Sequence, residues 1–136
     1  MTTTTTTIGL SITTEQVPVY QHHQDIYDQS EMMTASFGLS DSRGRQVGYQ
    51  VSISRFRKEP LTGGLLEQHI ATRAPVAVRG KWRVLPHGLR DGKPYGSHPL
   101  SNPQAIESYY TRAEAIAAAR GHIARAYQRA VRSRAK

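Results

Sequence analysis

The C-terminal segment, residues 109–136, constrains the fold most, because its sequence predicts one long amphipathic helix. Alanine is its commonest residue, and alanine loses no side-chain entropy in a helix. Thr111 and Glu114 have the spacing of a capping box, in which the Thr hydroxyl accepts from the Glu amide and the carboxylate accepts from the Thr amide. We therefore expect a helix that begins at these residues and continues through the segment.

The two sides of this helix differ in character. At about 100° per residue, the apolar stripe consists of Ile116, Ala119, Ile123, Tyr127 and Ala130. The opposite, basic stripe consists of Arg125, Arg129, Arg132 and Lys136. Because the apolar stripe is narrow and rich in small residues, we expect the helix to lie close against a sheet. The basic stripe is either a solvated face that complements the helix dipole or a contact surface for a polyanion.

Two segments alternate between apolar and polar residues, which is typical of strands with one buried face. The first runs from Ala35 to Ile53 with turn residues at 40–45, and it predicts a β-hairpin. The second follows Pro75 and has an apolar face made of Val76, Val78, Trp82 and Val84. Its other face carries Arg79, Lys81 and Arg83. A tight-turn sequence at 90–93, a return strand near Tyr95 and a short strand at 106–110 then lead into the helix.

These patterns together predict an α+β fold: an antiparallel sheet of four to six strands, backed by the long C-terminal helix. A short helix is also predicted near residues 65–70. No apolar run approaches the length of a membrane span and no signal-peptide pattern is present, so we expect a cytoplasmic protein without a membrane segment. The chain has no cysteine, which excludes disulfides and thiolate metal sites.

Charge divides the chain into two parts. Residues 1–42 contain five acids and no Lys or Arg, whereas residues 43–136 contain all 18 basic residues and five acids, a formal charge of +13. We therefore predict an extended acidic N-terminal arm over residues 1–31 and a single basic α+β domain over residues 32–136. The threonine run at 2–7 favours extended backbone, either as an edge strand or as an arm that pairs with another subunit.

Several short motifs between residues 79 and 128 stand in a familiar order. They are Gly80-Lys81-Trp82, Asp91-Gly92-Lys93, Tyr95-Gly96, and Tyr110-Thr111 followed by Glu114-Ala115. In this order they resemble the small three-stranded-sheet-plus-helix DNA-binding modules of the AP2 and integrase arm-binding type. The resemblance implies a helix that backs the sheet and an opposite, basic sheet face that meets DNA. Its contact residues would be Arg79, Lys81 and Arg83, with Arg90 and Lys93 at the turn.

The helix cations Arg125, Arg129 and Arg132 are further candidates for contact with nucleic acid. If the apolar stripe of the helix packs on the face of Trp82, these arginines point away from the sheet. The two basic surfaces then cannot form one flat patch. We favour the sheet face, because cations that alternate along a strand are held more rigidly than those near the end of a helix.

We therefore expect a small non-enzymatic accessory protein that binds DNA or RNA through phosphate contacts, without a cofactor or a metal. A second interpretation is a protein-interaction or assembly subunit of a phage or other virus, or of a mobile element. In that interpretation the Thr-rich arm adds a strand to a neighbour or to a second copy of the chain, and the basic surface binds an acidic protein.

An enzyme is a third interpretation. His87 and His98 flank the predicted turn and, with Arg83 or Arg90, could form a metal-independent ribonuclease site. Loop histidines beside Gly and Pro are more often ordinary polar residues, so we do not favour this reading. Residues 14–31 are expected to be irregular, and the acids within them, Asp25, Asp28 and Glu31, are better explained by a solvated turn than by a metal site.

Overall fold

The computed structural model describes residues 2–7, 10–19, 27–56, 82–95 and 107–135. Within these ranges seven strands form one sheet, and one helix packs on it. The strands are β1 (Thr2–Thr7), β2 (Leu10–Val17), β3 (Tyr27–Ser40), β4 (Gln46–Phe56), β5 (Trp82–Arg90), β6 (Lys93–Tyr95) and β7 (Glu107–Tyr109). The helix, α1, spans Arg112–Ala135. The predicted α+β class with a long C-terminal helix is therefore confirmed.

Every described strand pairing is antiparallel. The strand order is β1-β2-β3-β4-β5-β6, and β7 also pairs with β5. Because β4 occupies one side of β5 along its whole length, β6 and β7 share the other side, at opposite ends. The sheet is thus six strands wide, at the upper limit of the predicted four to six.

The predicted hairpin over 35–53 is confirmed as β3 and β4. In its turn, the Asp41 Oδ1 atom accepts hydrogen bonds of 2.9 Å from the amides of both Arg43 and Arg45. The turn between β5 and β6 places Asp91 at φ 52° and Gly92 at φ 76°, which is the backbone that Asp-Gly turns favour. The predicted return strand and the short strand before the helix are also confirmed, as β6 and β7.

The prediction of irregular structure over residues 14–31 is wrong at both ends of that segment. Strand β2 continues to Val17, and β3 begins at Tyr27, so the predicted division at residue 31 falls inside a strand.

The threonine run pairs with β2 of the same chain, from Thr2 opposite Glu15 to Thr7 opposite Leu10. Of the two expectations for this run, the structure has the edge strand.

The core lies between α1 and strands β3, β4 and β5. Its sheet side includes Met33, Ala35, Phe37, Val51, Ile53, Trp82 and Val84. Its helix side includes Ala115, Ala119, Ile123 and Ala126, with Ile116, Tyr127 and Ala130 at the margin. The predicted apolar stripe is therefore confirmed, as is the placement of Trp82 in the core. Small alanine side chains let the helix axis approach the sheet, which is the close packing that the sequence indicated.

The start of α1 is fixed by two sets of bonds. The Thr111 hydroxyl accepts from the Glu114 amide at 3.1 Å and lies 3.0 Å from the Glu114 carboxylate, to which it donates. This is half of the predicted capping box, since the carboxylate bonds the hydroxyl and not the backbone of Thr111. Arg112 donates from Nε (2.6 Å) and Nη2 (2.5 Å) to the two oxygens of Glu31, which joins the helix to β3.

Two predicted elements, the short helix near 65–70 and the alternating strand before Trp82, fall wholly or mostly outside the described residues. Among the residues that the structure describes, no helix combines the length and apolar composition needed to cross a lipid bilayer.

Candidate nucleic-acid interface

Of the three cations predicted to form an exposed row on one strand, only Arg83 lies in the described residues, and it is not exposed. Arg79 and Lys81 lie outside the described residues, and Arg83 is only 5% exposed. The Nη1 atom of Arg83 donates to the Tyr27 hydroxyl, and its guanidinium carbon lies 5.6 Å from the centre of the Tyr27 ring. The expectation that Arg83 belongs to an open docking face is therefore wrong.

The physical reason is that alternation predicts which side of a sheet a residue faces but not whether that side is covered. Tyr27 and Phe56 are 3% and 2% exposed, their rings are 5.0 Å apart, and they share the surroundings of Arg83. Burial raises the pKa of Tyr27, although the charge and hydrogen bond of Arg83 oppose that rise. Tyr27 is thus a neutral partner, and Arg83 serves the packing of this end of the sheet.

A cleft of about 650 Å³ lies between the C-terminal half of α1 and the other end of the sheet. Its apolar lining includes Phe37, Leu39, Val47 and Ala126, and its polar lining includes Asp41, Tyr49, Arg90, Tyr95, Arg129 and Ser133. Arg90 from the sheet and Arg129 from the helix therefore line one space. The expectation that the helix arginines point away from the sheet is wrong for Arg129, because the small residues Ala126 and Ala130 leave room for a cleft beside it.

Two residues that line the cleft, Arg90 and Tyr95, belong to a cluster that also includes Arg45. The guanidinium carbons of Arg45 and Arg90 lie 5.0 and 4.7 Å from the Tyr95 ring centre, within cation–π distance. Asp41 Oδ2 lies 2.8 Å from Arg45 Nε and 3.3 Å from Arg90 Nε. Because one carboxylate serves two guanidinium groups, the cluster keeps a net positive charge.

Asp41 is held in its ionised form. Desolvation opposes ionisation, but hydrogen bonds from the amides of Arg45 and Arg43, and from the Arg45 side chain, lower the pKa of Asp41 below its ordinary value. The aspartate therefore stays charged at neutral pH and keeps both Arg45 and Arg90 in place. The Nη1 atom of Arg90 also donates to the Leu89 carbonyl at 2.8 Å, which restricts it further.

Tyr49 lines the cleft and lies close enough to the helix arginines for their charges to affect its pKa. Burial raises the pKa of the Tyr49 phenol, while the charges of Arg129 and Arg125 oppose that rise. The hydroxyl stays protonated at neutral pH, so it can donate a hydrogen bond to a ligand in the cleft.

Arg125, Arg129 and Arg132, which we call the arginine row, are exposed on α1. Within the described ranges none of the three forms an ion pair with a carboxylate. Carboxylates that do form ion pairs there have other partners: Asp28 with Arg55, Glu31 with Arg112, Asp41 with Arg45 and Arg90, and Glu107 with His122. Lys93 is exposed on β6, opposite Arg90 in the strand register. Arg125, Arg129 and Arg132 are thus accessible, and no described carboxylate neutralises them.

A second polar group, missed by the sequence reasoning, joins β7 to α1. Glu107 accepts from the Tyr109 hydroxyl and lies 2.7 Å from His122 Nε2, and Arg125 Nη2 lies 3.5 Å from His122 Nδ1. The hydrogen bond to Glu107, with burial, raises the pKa of Tyr109 to about 12. Glu107 and His122 are 15 residues apart in the sequence, and this spacing matches no recognisable motif. The group can therefore be identified only from the structure, where β7 packs beside α1.

The enzyme interpretation gains no assembled site from the described residues. His98 lies outside them, and Arg83, proposed beside it, is buried against Tyr27. In the same ranges no three His, Cys, Asp or Glu side chains are grouped so that they could hold a metal ion. Two of the acids expected in a solvated turn lie on β3 instead. Asp28 forms an ion pair with Arg55 of β4, and Glu31 is buried. That expectation is therefore wrong for Glu31.

Comparison of the chain with protein-family models, with curated proteins and with solved structures finds no match. The resemblance to AP2 and integrase arm-binding modules stays a prediction.

Proposed function

We propose that the protein is a cytoplasmic accessory protein that binds nucleic acid through phosphate contacts beside the cleft. The proposed contacts are the arginine row and Lys93, while Arg90, which is paired with Asp41, lines the cleft beside them. The observation that carries the proposal is the row itself: three exposed guanidinium groups on α1, none paired with a carboxylate among the described residues. Guanidinium groups match phosphate with two parallel hydrogen bonds, and unpaired ones give up no internal ion pair when they do so.

The expected strength of the electrostatic contribution follows from the number of contacts. Each phosphate neutralised on duplex DNA contributes about −0.9 to the slope of log affinity against log salt concentration. If all four cations touch phosphates, the slope is about −3.6. Arg83 is excluded from this number because it is buried.

The test is a fluorescence-anisotropy titration of labelled DNA and RNA across a series of salt concentrations. Substituting Arg129→Gln together with Arg132→Gln should weaken binding and reduce the slope on duplex DNA by about 1.8. The matched control is Arg43→Gln with Arg120→Gln, which removes the same charge from exposed positions that do not line the cleft. The control should keep the slope nearly unchanged.

Two results would contradict the proposal. Absence of binding at low salt, where phosphate contacts are strongest, would reject nucleic acid as the partner. Equal losses in the two double variants would show that binding follows net charge and does not involve this surface.

An assembly role is a second candidate, and the position of β1 favours it. Strand β1 ends the sheet on one side, and no described strand pairs with its outer edge. Such an edge offers backbone hydrogen bonds to a further strand from another chain, as a second copy or a different protein of a phage or mobile-element assembly could supply. A chain that begins at Leu10 lacks β1. It should lose assembly, measured by light scattering after gel filtration, and keep its nucleic-acid binding.

A further inference from the structure

The cleft beside the arginine row combines apolar and polar lining residues in a way that suits a nucleobase-binding site. We infer that it takes one unstacked base of a single strand whose phosphates lie along the arginine row, so that the protein binds single-stranded nucleic acid more tightly than duplex. This inference rests on the proposed function and specifies the form of nucleic acid.

The size and lining of the cleft fit such an occupant. Its volume of about 650 Å³ falls within the range of small-molecule sites. Leu39 and Ala130, which are only partly buried, supply an apolar surface that a phosphate or another small inorganic anion would leave unused. A base is flat and largely apolar on its faces but polar on its edge, so it can use both kinds of lining.

The wall formed by Arg90 and Tyr95, with Arg45 in contact with Tyr95, suits a flat ring. Unpaired bases stack on aromatic rings and on guanidinium planes in proteins that bind single strands. Here Tyr95 is 47% exposed, and Asp41 holds both arginines close to its ring. The protonated hydroxyl of Tyr49, on the adjoining strand β4, can donate to an acceptor on the base edge. The wall is thus ordered before a ligand arrives, which reduces the entropy lost on binding.

Arg129 connects the proposed base site with the proposed phosphate contacts, because it lines the cleft and also belongs to the arginine row. Ser133 lies one helical turn further on and lines the cleft as well. A single strand with its backbone on the row can turn a base into the cleft beside Arg129. A duplex keeps its bases paired inside the helix and can use only the phosphate contacts, so it should bind more weakly.

The sharpest test fills the cleft without changing any charge. Gly88 lies between Tyr49 and Tyr95 in the strand register and lines the cleft. A Cβ atom at Gly88 would meet only the Tyr95 carbonyl oxygen, at the ordinary contact distance of 3.6 Å. Gly88→Val therefore fits the backbone while its methyl groups occupy the cleft. Tyr95→Ala removes the stacking surface instead, and Tyr110→Ala, at a 74% exposed tyrosine before α1, is the matched control.

The measurement is anisotropy of one labelled oligonucleotide, as a single strand and as its blunt duplex, with each variant checked by circular dichroism and thermal melting. We expect Gly88→Val and Tyr95→Ala to weaken single-strand binding by about 5- to 150-fold, the usual loss of one stacked base. Duplex binding and the Tyr110→Ala control should change little. Adenosine monophosphate as a competitor should displace the strand only weakly, since it lacks the contacts along the row.

Each other outcome overturns the inference in a distinguishable way. One such outcome is that single strand and duplex bind with equal affinity and that the folded cleft variants bind like the unmodified protein. This would show that the cleft does not bind a base, and the phosphate contacts would still stand. Tighter binding of adenosine monophosphate than of the strand would mean that the cleft serves a free nucleotide. Absence of binding to every nucleic acid would remove the proposed function as well.

Discussion

The ion pair between Glu31 and Arg112 gives the most demanding test of how the helix is held to the sheet. Glu31 is 2% exposed, and both of its carboxylate oxygens accept from Arg112, at 2.6 and 2.5 Å. The Arg112 side chain is 50% exposed. The substitution Arg112→Met keeps the aliphatic stem but leaves a buried carboxylate without a cation. Glu31→Gln instead leaves a guanidinium that can turn toward water.

The asymmetry in exposure sets the expected magnitudes. Removing one partner of a fully buried ion pair costs about 3–5 kcal/mol, and partial access of water near Arg112 reduces this to about 2–4 kcal/mol for Arg112→Met. Glu31→Gln should cost less, about 1–2 kcal/mol, because the amide keeps part of the hydrogen bonding. For a chain of 136 residues the unfolding entropy is about 0.29 kcal/mol/K, so Arg112→Met should lower Tm by about 7–14 °C.

Urea unfolding followed by circular dichroism measures all three variants, including the double variant Glu31→Gln with Arg112→Met. We expect the double variant to be more stable than Arg112→Met alone, because the buried charge is gone. If Arg112→Met is no less stable than Glu31→Gln, or if the double variant shows simple addition of the two losses, the carboxylate is not desolvated as the structure describes. The Glu31–Arg112 pair would then not be what fixes the start of α1.

Two further predictions concern Asp41 and Gly121. Because the pKa of Asp41 is lowered on folding, its contribution to stability is complete above the ordinary carboxyl pKa of about 3.9 and is lost as pH falls through the lower folded value. Urea midpoints of the unmodified protein and of Asp41→Asn should therefore converge in strong acid, and a constant difference would contradict this. Gly121→Ala should stabilise α1 by about 0.5–1 kcal/mol, or about 2–3 °C in Tm. The new Cβ lies 3.2 Å from Arg125 Nη1, the far end of a flexible side chain, and a lower Tm would show that Arg125 cannot move.

The elements with strong local patterns were predictable from the sequence. Alternation specified the hairpin of β3 and β4, the Asp91-Gly92 turn specified the return of β6, and the apolar stripe specified the helix face that packs on the sheet. Local pattern failed for Glu31, where an acid occupies a strand position facing the core. A buried carboxylate is stable only with a cation beside it, and that cation lies 81 residues away on α1.

The cleft could not be predicted for a related reason. Its walls come from the turn of β3 and β4, from the hairpin of β5 and β6, and from the second half of α1. The sequence indicates that Arg90 follows a strand and that Arg129 lies on a helix, but no local rule places them around one space. The same limit applies to Arg83, since the alternation that assigned its side of the sheet says nothing about the covering by Tyr27 and Phe56.

The positions of the acids decide which part of the basic surface can bind a partner. A formal charge of +13 over residues 43–136 suggests a polyanion partner but no location. In the described structure, Asp28, Glu31 and Asp41 bind arginines that order strands and turns, and Glu107 binds His122. These pairs engage other basic residues in holding the fold together, and none of the described carboxylates pairs with the arginine row. A cation already paired must lose its partner before it meets a phosphate, whereas Arg129 and Arg132 lose only water and small counterions. Among the described residues, unpaired cations therefore border the cleft on α1, and a nucleic acid would gain phosphate contacts by binding there.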